Sequence, residues 1–408
     1  MQVIVIGGGA AGLLAAGTAA RHGHQVTVLE RNPRMARKVM ITGKGRCNVT
    51  NACTPQECVA NVPGNGRFLY SAFSNFTPQD TMALLQEQGV LLKTERGNRV
   101  FPVSDKAVDI VDALVSYARH QNVRFVTDRV TRLLIEDGVC CGAETESGKQ
   151  YTSYATIVCT GGCSYPLTGS TGDGYTLAQQ AGHTIIPPRP SLVALTTVDT
   201  WCREAQGLSL KNCALTAVDT KNNKTIYTDF GEMLFTHFGV SGPMILSASA
   251  HFRDMQSGRY RLLLDLKPAL SFEQLDARLV RELELHKNAC FGNTLAELLP
   301  RLLIAPMLSL CQLPGEKKCH SVSREERHAL VNLLKAVPIT VAGFRPIEEA
   351  IVTSGGVSTR EVNATTMESK LLSGLYFAGE VLDVDAYTGG FNLQIAFSTG
   401  YAAGSHIQ

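Results

Sequence analysis

Residues 1–31, MQVIVIGGGAAGLLAAGTAARHGHQVTVLER, constrain this chain more than any other stretch. Val3 to Ile6 is a short, apolar, β-branched run, which suits a strand buried on both faces of a parallel sheet. Gly7, Gly9 and Gly12 then make G-x-G-x-x-G and open a helix of small residues that begins with Ala10 and Ala11. The glycines serve a tight turn, backbone approach to a pyrophosphate, and close helix–strand packing. The helix start offers unpaired N–H groups and a positive dipole end to phosphate oxygens. A second strand, Val26 to Leu29, ends at Glu30, whose carboxylate can accept from ribose hydroxyls. A glycine-rich turn in an ordinary βαβ unit does not account for all of these together, so the unit is expected to bind a dinucleotide.

A chain of 408 residues exceeds the usual size of one domain, so two or three subdomains are expected. The net charge of +2 gives no overall electrostatic case for nucleic acid or a membrane surface, and no apolar run reaches transmembrane length without glycine or charge. The 12 cysteines stand singly or as the neighbours Cys140 and Cys141, without paired C-x-x-C spacing, so no metal site is expected. The apolar start lacks a basic flank and is broken by glycines, unlike a secretory signal. Free thiols then point to a reducing cytoplasm.

After Glu30 a basic window carries Arg31, Arg34, Arg37, Lys38, Lys44 and Arg46. It reads as a solvated loop or as a nucleic-acid patch. However, Thr42, Gly43, Gly45, Cys47 and Asn48 in TGKGRCN are small or flexible enough to bring backbone amides to a ligand, and the pyrophosphate explains the charge better. Thr77-Pro78 and Ser104 are expected to cap helices, and capping boxes start at Ser271 and Ser323. Residues 123–160 read as several strands, the last running from Ala155 to Thr160 and ending in Gly161-Gly162. Three prolines at 187, 188 and 190 suit a crossover between domains. Residues 191–269 alternate short β runs with turns, as in a small barrel or sandwich; residues 271–335 turn helical.

The second informative stretch is SGLYFAGEVLDVDAYTGGFNLQIAFSTGYAAG. A buried strand closes on Gly379-Glu380, and a glycine turn at Gly389-Gly390 enters a helix beginning Phe391, Asn392, Leu393, Gln394. Such a helix start would set its positive end against a ring carbonyl that gains negative charge on reduction. Paired with the N-terminal unit, these are the two ends a flavin domain needs; Val130 lies where such a domain returns a strand to the adenine.

The motifs GGGAAGLLAA, KVMITGKGRCNVTN, RVFPVSDKA, FTHFGVSGP, TSGGVS and GLYFAGEVLDVDAYTGGFNLQIA span nearly the whole chain. In them the chain resembles the bacterial FAD-dependent oxidoreductase family that includes aminoacetone oxidases and a reductase of 3-oxo bile-acid intermediates. The resemblance implies an α/β fold, with a doubly wound Rossmann-type FAD domain from residues 1–190 and 353–408. A β-barrel from 191–270 and 336–352 is inserted, and it carries a helical subdomain at 271–335. Carried over by position, the first glycine loop takes the pyrophosphate and Glu30 the adenosine ribose, with Thr160 and Gly161 as further expected cofactor contacts. Lys38 to Asn48 cover pyrophosphate and ring, Gly379-Glu380 reach the ribityl chain, and Gly390 to Gln394 face the isoalloxazine. Ala386 departs from the glycine expected in relatives.

Flavin disulfide reductases share the N-terminal unit, but Cys47 and Cys53 are spaced one residue too far apart and no second G-x-G-x-x-G follows for NADPH. Cys47 therefore reads as a small residue packed near the ring. NADH or NADPH, if used, must dock transiently, and the cofactor carries the hydride chemistry. Few protein acids are then needed. His237 is a candidate proton donor or cavity residue, with a turn-capping histidine as its alternative; Tyr387 is a comparable candidate. The leading expectation is a cytoplasmic NAD(P)H-linked reductase that passes hydride through flavin N5 to an enone or oxo substrate, such as a 3-oxo-Δ4,6 bile acid or a steroid-like enone. An amine oxidase releasing peroxide is the rival, and a flavin-containing RNA-modifying protein the alternative of another class. Oligomeric state is open.

Overall fold

The computed structural model describes residues 1–407. The chain forms two compact units, residues 1–191 with 346 onward, and residues 192–345.

The first unit is built on five parallel strands in the order Leu375–Phe377, Ala155–Val158, Gln2–Ile6, Gln25–Glu30, Arg124–Thr127. Ile6 stands level with Val158 on one side and Leu29 on the other, so three strand ends finish together. From the Gln2–Ile6 strand the chain passes first to one side and later to the other. That reversal opens a crevice at the carboxyl ends of an α/β sheet, the usual place for a ligand. The apolar, β-branched strands are buried on both faces, as parallel pairing between helices demands.

The small residues of Ala10–Arg21 have a packing reason. A Cβ on Gly400 would lie 2.4 Å from the Ala11 carbonyl oxygen, and one on Gly404 would lie 2.4 Å from that of Ala15. The C-terminal helix, Phe391–Ser405, therefore crosses the first helix in backbone contact. Thr77 caps its helix through a capping box with Asp80 and Pro78 in the first turn. Ser104 does not cap the next one. That helix starts at Ala107 with Lys106 at the cap position, and Ser104 Oγ accepts from Lys106 N while donating to Asp109. Ser104 sits two residues too early and closes a local turn instead.

The proline run lies within a strand, Ile185–Ser191, which pairs antiparallel with Val352–Val357 and is irregular between Ile186 and Arg189. An irregular two-stranded pair tolerates the missing N–H groups. Because Val352 to Val357 pair here, the second crossing falls at Arg345/Pro346 rather than after residue 352.

The second unit contains a closed antiparallel barrel of six strands, Leu195–Thr197, Gly239–Ser241, Lys224–Thr236, Ser209–Asp219, Tyr260–Asp265 and Val337–Phe344. Helices Phe272–Leu285 and Arg324–Lys335 open with the expected capping boxes at Ser271 and Ser323. Their Leu275, Leu279, Leu330 and Leu334 join Leu262, Leu264 and Ile339 of the barrel in one apolar cluster. The helical segment shares the barrel's core instead of building its own.

Candidate cofactor site

A cavity in the first unit lies at the carboxyl edge of the parallel sheet, lined by the first turns of both the Ala10–Arg21 and Phe391–Ser405 helices. At the first helix Gly9 occupies the cap position, without a side-chain cap and with no acidic residue in the first turn. The helical ladder begins with Leu13 N donating to Gly9 O at 2.9 Å, so the N–H groups of Ala10, Ala11 and Gly12 precede it. A Cβ on Gly9 would meet nothing within 4 Å, whereas one on Gly7 would lie 2.5 Å from Cys159 O and one on Gly12 1.9 Å from Gly7 O. Gly9 thus leaves open the cradle in front of the helix, and its two neighbours in the motif serve packing. An uncapped helix start behind an open cradle fits a pyrophosphate.

Glu30 ends its strand buried and well held. Its Oε2 accepts from Gly8 N at 2.7 Å, and Oε1 accepts from Asn32 N at 2.8 Å and Asn32 Nδ2 at 2.7 Å. These three bonds aim the carboxylate at the cavity it lines and leave lone pairs for ribose hydroxyls. Beside it Asp173 receives Arg31 at 3.1 Å and Arg129 at 2.9 and 3.0 Å. Burial opposes ionisation of Asp173, but the hydrogen bonds from Arg129 and Thr171 outweigh it, and the carboxyl titrates below its ordinary range.

A second charged cluster lines the same cavity. Lys38 Nζ lies 2.7 and 2.9 Å from the Glu380 oxygens and 2.6 Å from Ser164 Oγ, and Thr353 N donates to Glu380 Oε1 at 2.9 Å. Gly379 precedes it at φ +78°, its N–H donating to Thr399 Oγ1 at 2.9 Å.

The C-terminal helix is the counterpart of the first. Gly390 is its cap at φ +98°, and a Cβ there would lie 2.3 Å from the backbone of Thr50, so only glycine fits. Again no side chain caps the helix and no acid sits in the first turn. Asn392 fastens the approach, accepting from Ala386 N at 2.9 Å and donating to Ala386 O at 2.8 Å. Ala386 has no positive φ, so the turn does not demand glycine there.

The cavity brings together Gly7, Gly9, Ala10, Ala11, Glu30, Arg31, Lys38 and Thr42 with Val130, Thr160, Gly161, Gly379, Glu380, Asn392 and Leu393. The other expected contacts lie outside its lining. Gly12 packs against Gly7, and Gly43 and Gly45 belong to the short turn Thr42–Gly45. Arg46 lies on the Phe101 ring, 4.2 Å from its centre, and pairs with Glu95 and Asp105. Cys47 is fully buried, and burial pushes its thiol up to about 12. Asn48, oriented with its amide nitrogen toward the carbonyls of Thr50 and Val100, accepts from Gly390 N. Phe391 is buried, and Gln394 spends its whole amide inside the protein, accepting from Thr50 and Thr81 and donating to Phe76 O and Ser398.

His237 stands in the second unit, between the Lys224–Thr236 and Gly239–Ser241 strands, edge-on to Phe238 at 4.9 Å. Tyr387 donates its backbone N–H to Asn61 O at 3.0 Å and does not line the cavity. Sequence reasoning missed Asn32, Arg129, Ser164 and Asp173 among the lining and anchoring groups. For Asp173, the glycine-rich run Gly169-Ser-Thr-Gly172 ahead of the Asp173–Gln180 helix was the available cue. The basic window is largely consumed within the chain, since Arg31, Lys38 and Arg46 are ion-paired and Arg37 donates to Asn32 Oδ1 at 2.9 Å.

The family model described as HI0933-like protein Rossmann domain matches residues 1–406. The chain belongs to the HI0933-like family. HI0933-like proteins are FAD-dependent oxidoreductases. Among the relatives, this chain is 33% identical over 414 residues to the ribosomal RNA dihydrouridine synthase of Haemophilus influenzae, covering 99% of this chain and 98% of that one. The Escherichia coli protein of the same name is 31% identical over 100% of this chain and 98% of its own length. The 3-dehydro-bile acid delta(4,6)-reductase of Clostridium scindens is 31% identical, covering 99% of this chain and 98% of the relative. Among solved structures, a 3-ketosteroid delta1-dehydrogenase from Sterolibacterium denitrificans shares the fold, with a TM-score of 0.52 at 12% identity over 99% of this chain and 98% of that one. The HI0933-like cavity fits FAD on its own geometry: an open cradle at Gly9, an acceptor at Glu30, and a second uncapped helix start at Gly390. Bound FAD supplies two-electron hydride chemistry; the protein supplies orientation, charge and protons. Among the described residues no helix is long and apolar enough to cross a membrane.

Proposed function

We propose that this chain is a reductase that uses FAD to add two hydrogens across a carbon–carbon double bond conjugated to a carbonyl, with a uridine of ribosomal RNA as substrate and NADH or NADPH as hydride source. The observation that carries this reading is the agreement of two kinds of full-length relatives. One kind is named for making dihydrouridine in ribosomal RNA, the other for reducing the 4,6 double bonds of a 3-oxo bile acid. Dihydrouridine is uridine saturated at C5=C6, a bond conjugated to the C4 carbonyl. The bile-acid diene is likewise conjugated to its C3 carbonyl. Hydride addition at the carbon β to a carbonyl, followed by protonation at the α carbon, saturates uridine C5=C6 and the bile-acid C4=C5, and the C6=C7 bond takes hydride at the vinylogous carbon C7. The uncapped start of the Phe391–Ser405 helix supports reduction, because its positive end favours a cofactor ring that gains negative charge.

A steroid-like dienone is the second reading, favoured by the Clostridium scindens relative. His237 and Tyr387 stay the sequence candidates for proton delivery although neither lines the cavity, so the role rests on the variants below, and the cytoplasm is where ribosomal RNA and reduced nicotinamide meet. The test is anaerobic turnover of FAD-loaded protein with each nicotinamide, offered unmodified ribosomal RNA and a 3-oxo-4,6-diene steroid in separate reactions. Mass spectrometry of the nucleosides is expected to show uridine gaining two hydrogens at one site. Saturation of the steroid alone would establish the second reading. Peroxide from aminoacetone, with neither acceptor reduced, would overturn both. His237→Ala and Tyr387→Phe are expected to identify the proton donor by a loss of turnover with FAD still bound; no loss in either would remove both from that role.

A further inference from the structure

Cys53 and Cys58 place their sulfurs 3.4 Å apart. The juxtaposition follows from the local sequence. Thr54 caps the helix Pro55–Ala60 and forms a capping box with Glu57, which puts Cys53 just before the cap and Cys58 at the fourth helical position. In a hydrophobic staple those two positions carry apolar side chains that touch. Here both are thiols. Cys58 is 0% exposed and Cys53 7%, so one sulfur is sealed and the other sits at the edge of the packed interior.

We propose that Cys53 and Cys58 are a redox-active dithiol that a small peroxide oxidises to an intramolecular disulfide. Cys53 thiolate attacks one peroxide oxygen. The O–O bond breaks, water leaves, and Cys53 carries a sulfenic acid. Cys58 sulfur then attacks Cys53 sulfur, displacing a second water as the S–S bond forms. Two thiols lose two protons and two electrons, and one hydrogen peroxide is reduced to two waters. The sulfurs must approach by about 1.4 Å to reach bonding distance, which side-chain rotation at the end of a short helix can supply. The attacking role belongs to Cys53, because the Cys58 S–H lowers the Cys53 thiol by hydrogen bonding while the same contact and burial raise Cys58. Burial also selects the oxidant: a two-oxygen molecule fits the exposed edge of Cys53 where a bulky disulfide reagent does not.

The dithiol is wired to the cofactor-side loop. Asn51 donates to Gly389 O at 3.1 Å, Asn61 O accepts from Tyr387 N at 3.0 Å, and Asn65 donates to Asp383 O at 2.7 Å. Oxidation would thus occur in a segment bonded at three points to residues 383–389, immediately before the C-terminal helix. The proposal does not depend on which substrate is reduced.

The test uses the full-length, FAD-loaded chain, reduced with a phosphine, freed of it, and treated with one equivalent of hydrogen peroxide without oxygen. Trypsin places Cys47, Cys53 and Cys58 on one peptide, residues 47–67, which contains no methionine. That peptide is expected to lose two hydrogens and to keep only Cys47 open to alkylation after denaturation, with phosphine restoring the other two. Cys58→Ser is expected to stop at a sulfenic acid on Cys53 that a dione reagent traps. Cys53→Ser is expected to leave Cys58 at least about tenfold less reactive. Three alkylated cysteines in treated wild-type protein would overturn the proposal, as would a sulfinic acid on Cys53 without loss of two hydrogens. The wild-type result decides even where a serine variant fails to fold.

Discussion

Gly9 and Gly12 belong to one motif, yet the space around them differs completely. A side chain at Gly9 would project into the open cradle, while one at Gly12 would strike Gly7 O. Gly9→Val is therefore expected to fold with an unchanged melting temperature and to lose FAD. Blocking two charge-assisted N–H contacts, each worth about 1.5 kcal/mol or more, weakens binding on the order of a hundredfold, read by flavin fluorescence titration. Gly12→Val should instead cost about 3 kcal/mol of stability through overpacking, read by denaturant unfolding without cofactor. Equal effects of the two on folding would contradict the division of labour. Cys47 offers a test by pH. Its thiol, ordinarily at 9.0, is held up to about 12 by burial. The buried neutral form contributes stability that is fully present below the unfolded value and is lost as pH rises from 9 toward 12. Wild type is thus expected to lose stability over that window more steeply than Cys47→Ala. Iodoacetamide at neutral pH should leave Cys47 unlabelled in the folded protein.

The C-terminal helix shows what an element's sequence does and does not disclose. Its glycine start, Gly389-Gly390, and its small residues were legible because each follows from local chemistry: a positive φ, and close approach to another helix. Which side chains face the cofactor was not. Asn392, Leu393 and Ala396 line the cavity, whereas Gln394 and Ser398, one turn apart, face Phe76 and Thr50. A run without polar–apolar alternation gives no phase, so the rotation of this helix is set by packing that the sequence does not state. Gln394 makes four hydrogen bonds at zero exposure, to Thr50, Thr81, Phe76 and Ser398. Gln394→Ala leaves buried partners unsatisfied and is expected to cost about 2–4 kcal/mol in chemical denaturation. A loss of FAD affinity at unchanged stability would return Gln394 to the ring. Ser104 shows the same on a smaller scale: a capping residue type was present, but the cap position fell two residues beyond it, at Lys106.

At the scale of the molecule, the doubly wound sheet was readable because strand, glycine turn and helix repeat a pattern with few folded solutions. The barrel was readable as a set of short strands, but its closure was not, since pairing Leu195–Thr197 with Val337–Phe344 joins segments separated by the whole inserted region. The anchoring pairs of the site, Lys38 with Glu380 and Arg129 with Asp173, escaped for the same reason, being distant in sequence. Net charge works at another scale: averaged over 408 residues, +2 does not describe any local patch, and the basic window it includes is largely paired within the chain. The measurement that tests the account most directly is anaerobic stopped-flow absorbance of the FAD-loaded protein, first with NADH or NADPH and then with a conjugated acceptor. Nicotinamide is expected to bleach the visible flavin band, and ribosomal RNA, or the dienone, to restore it without oxygen. A chain that binds no FAD, or a bleached flavin that only oxygen restores, would contradict it.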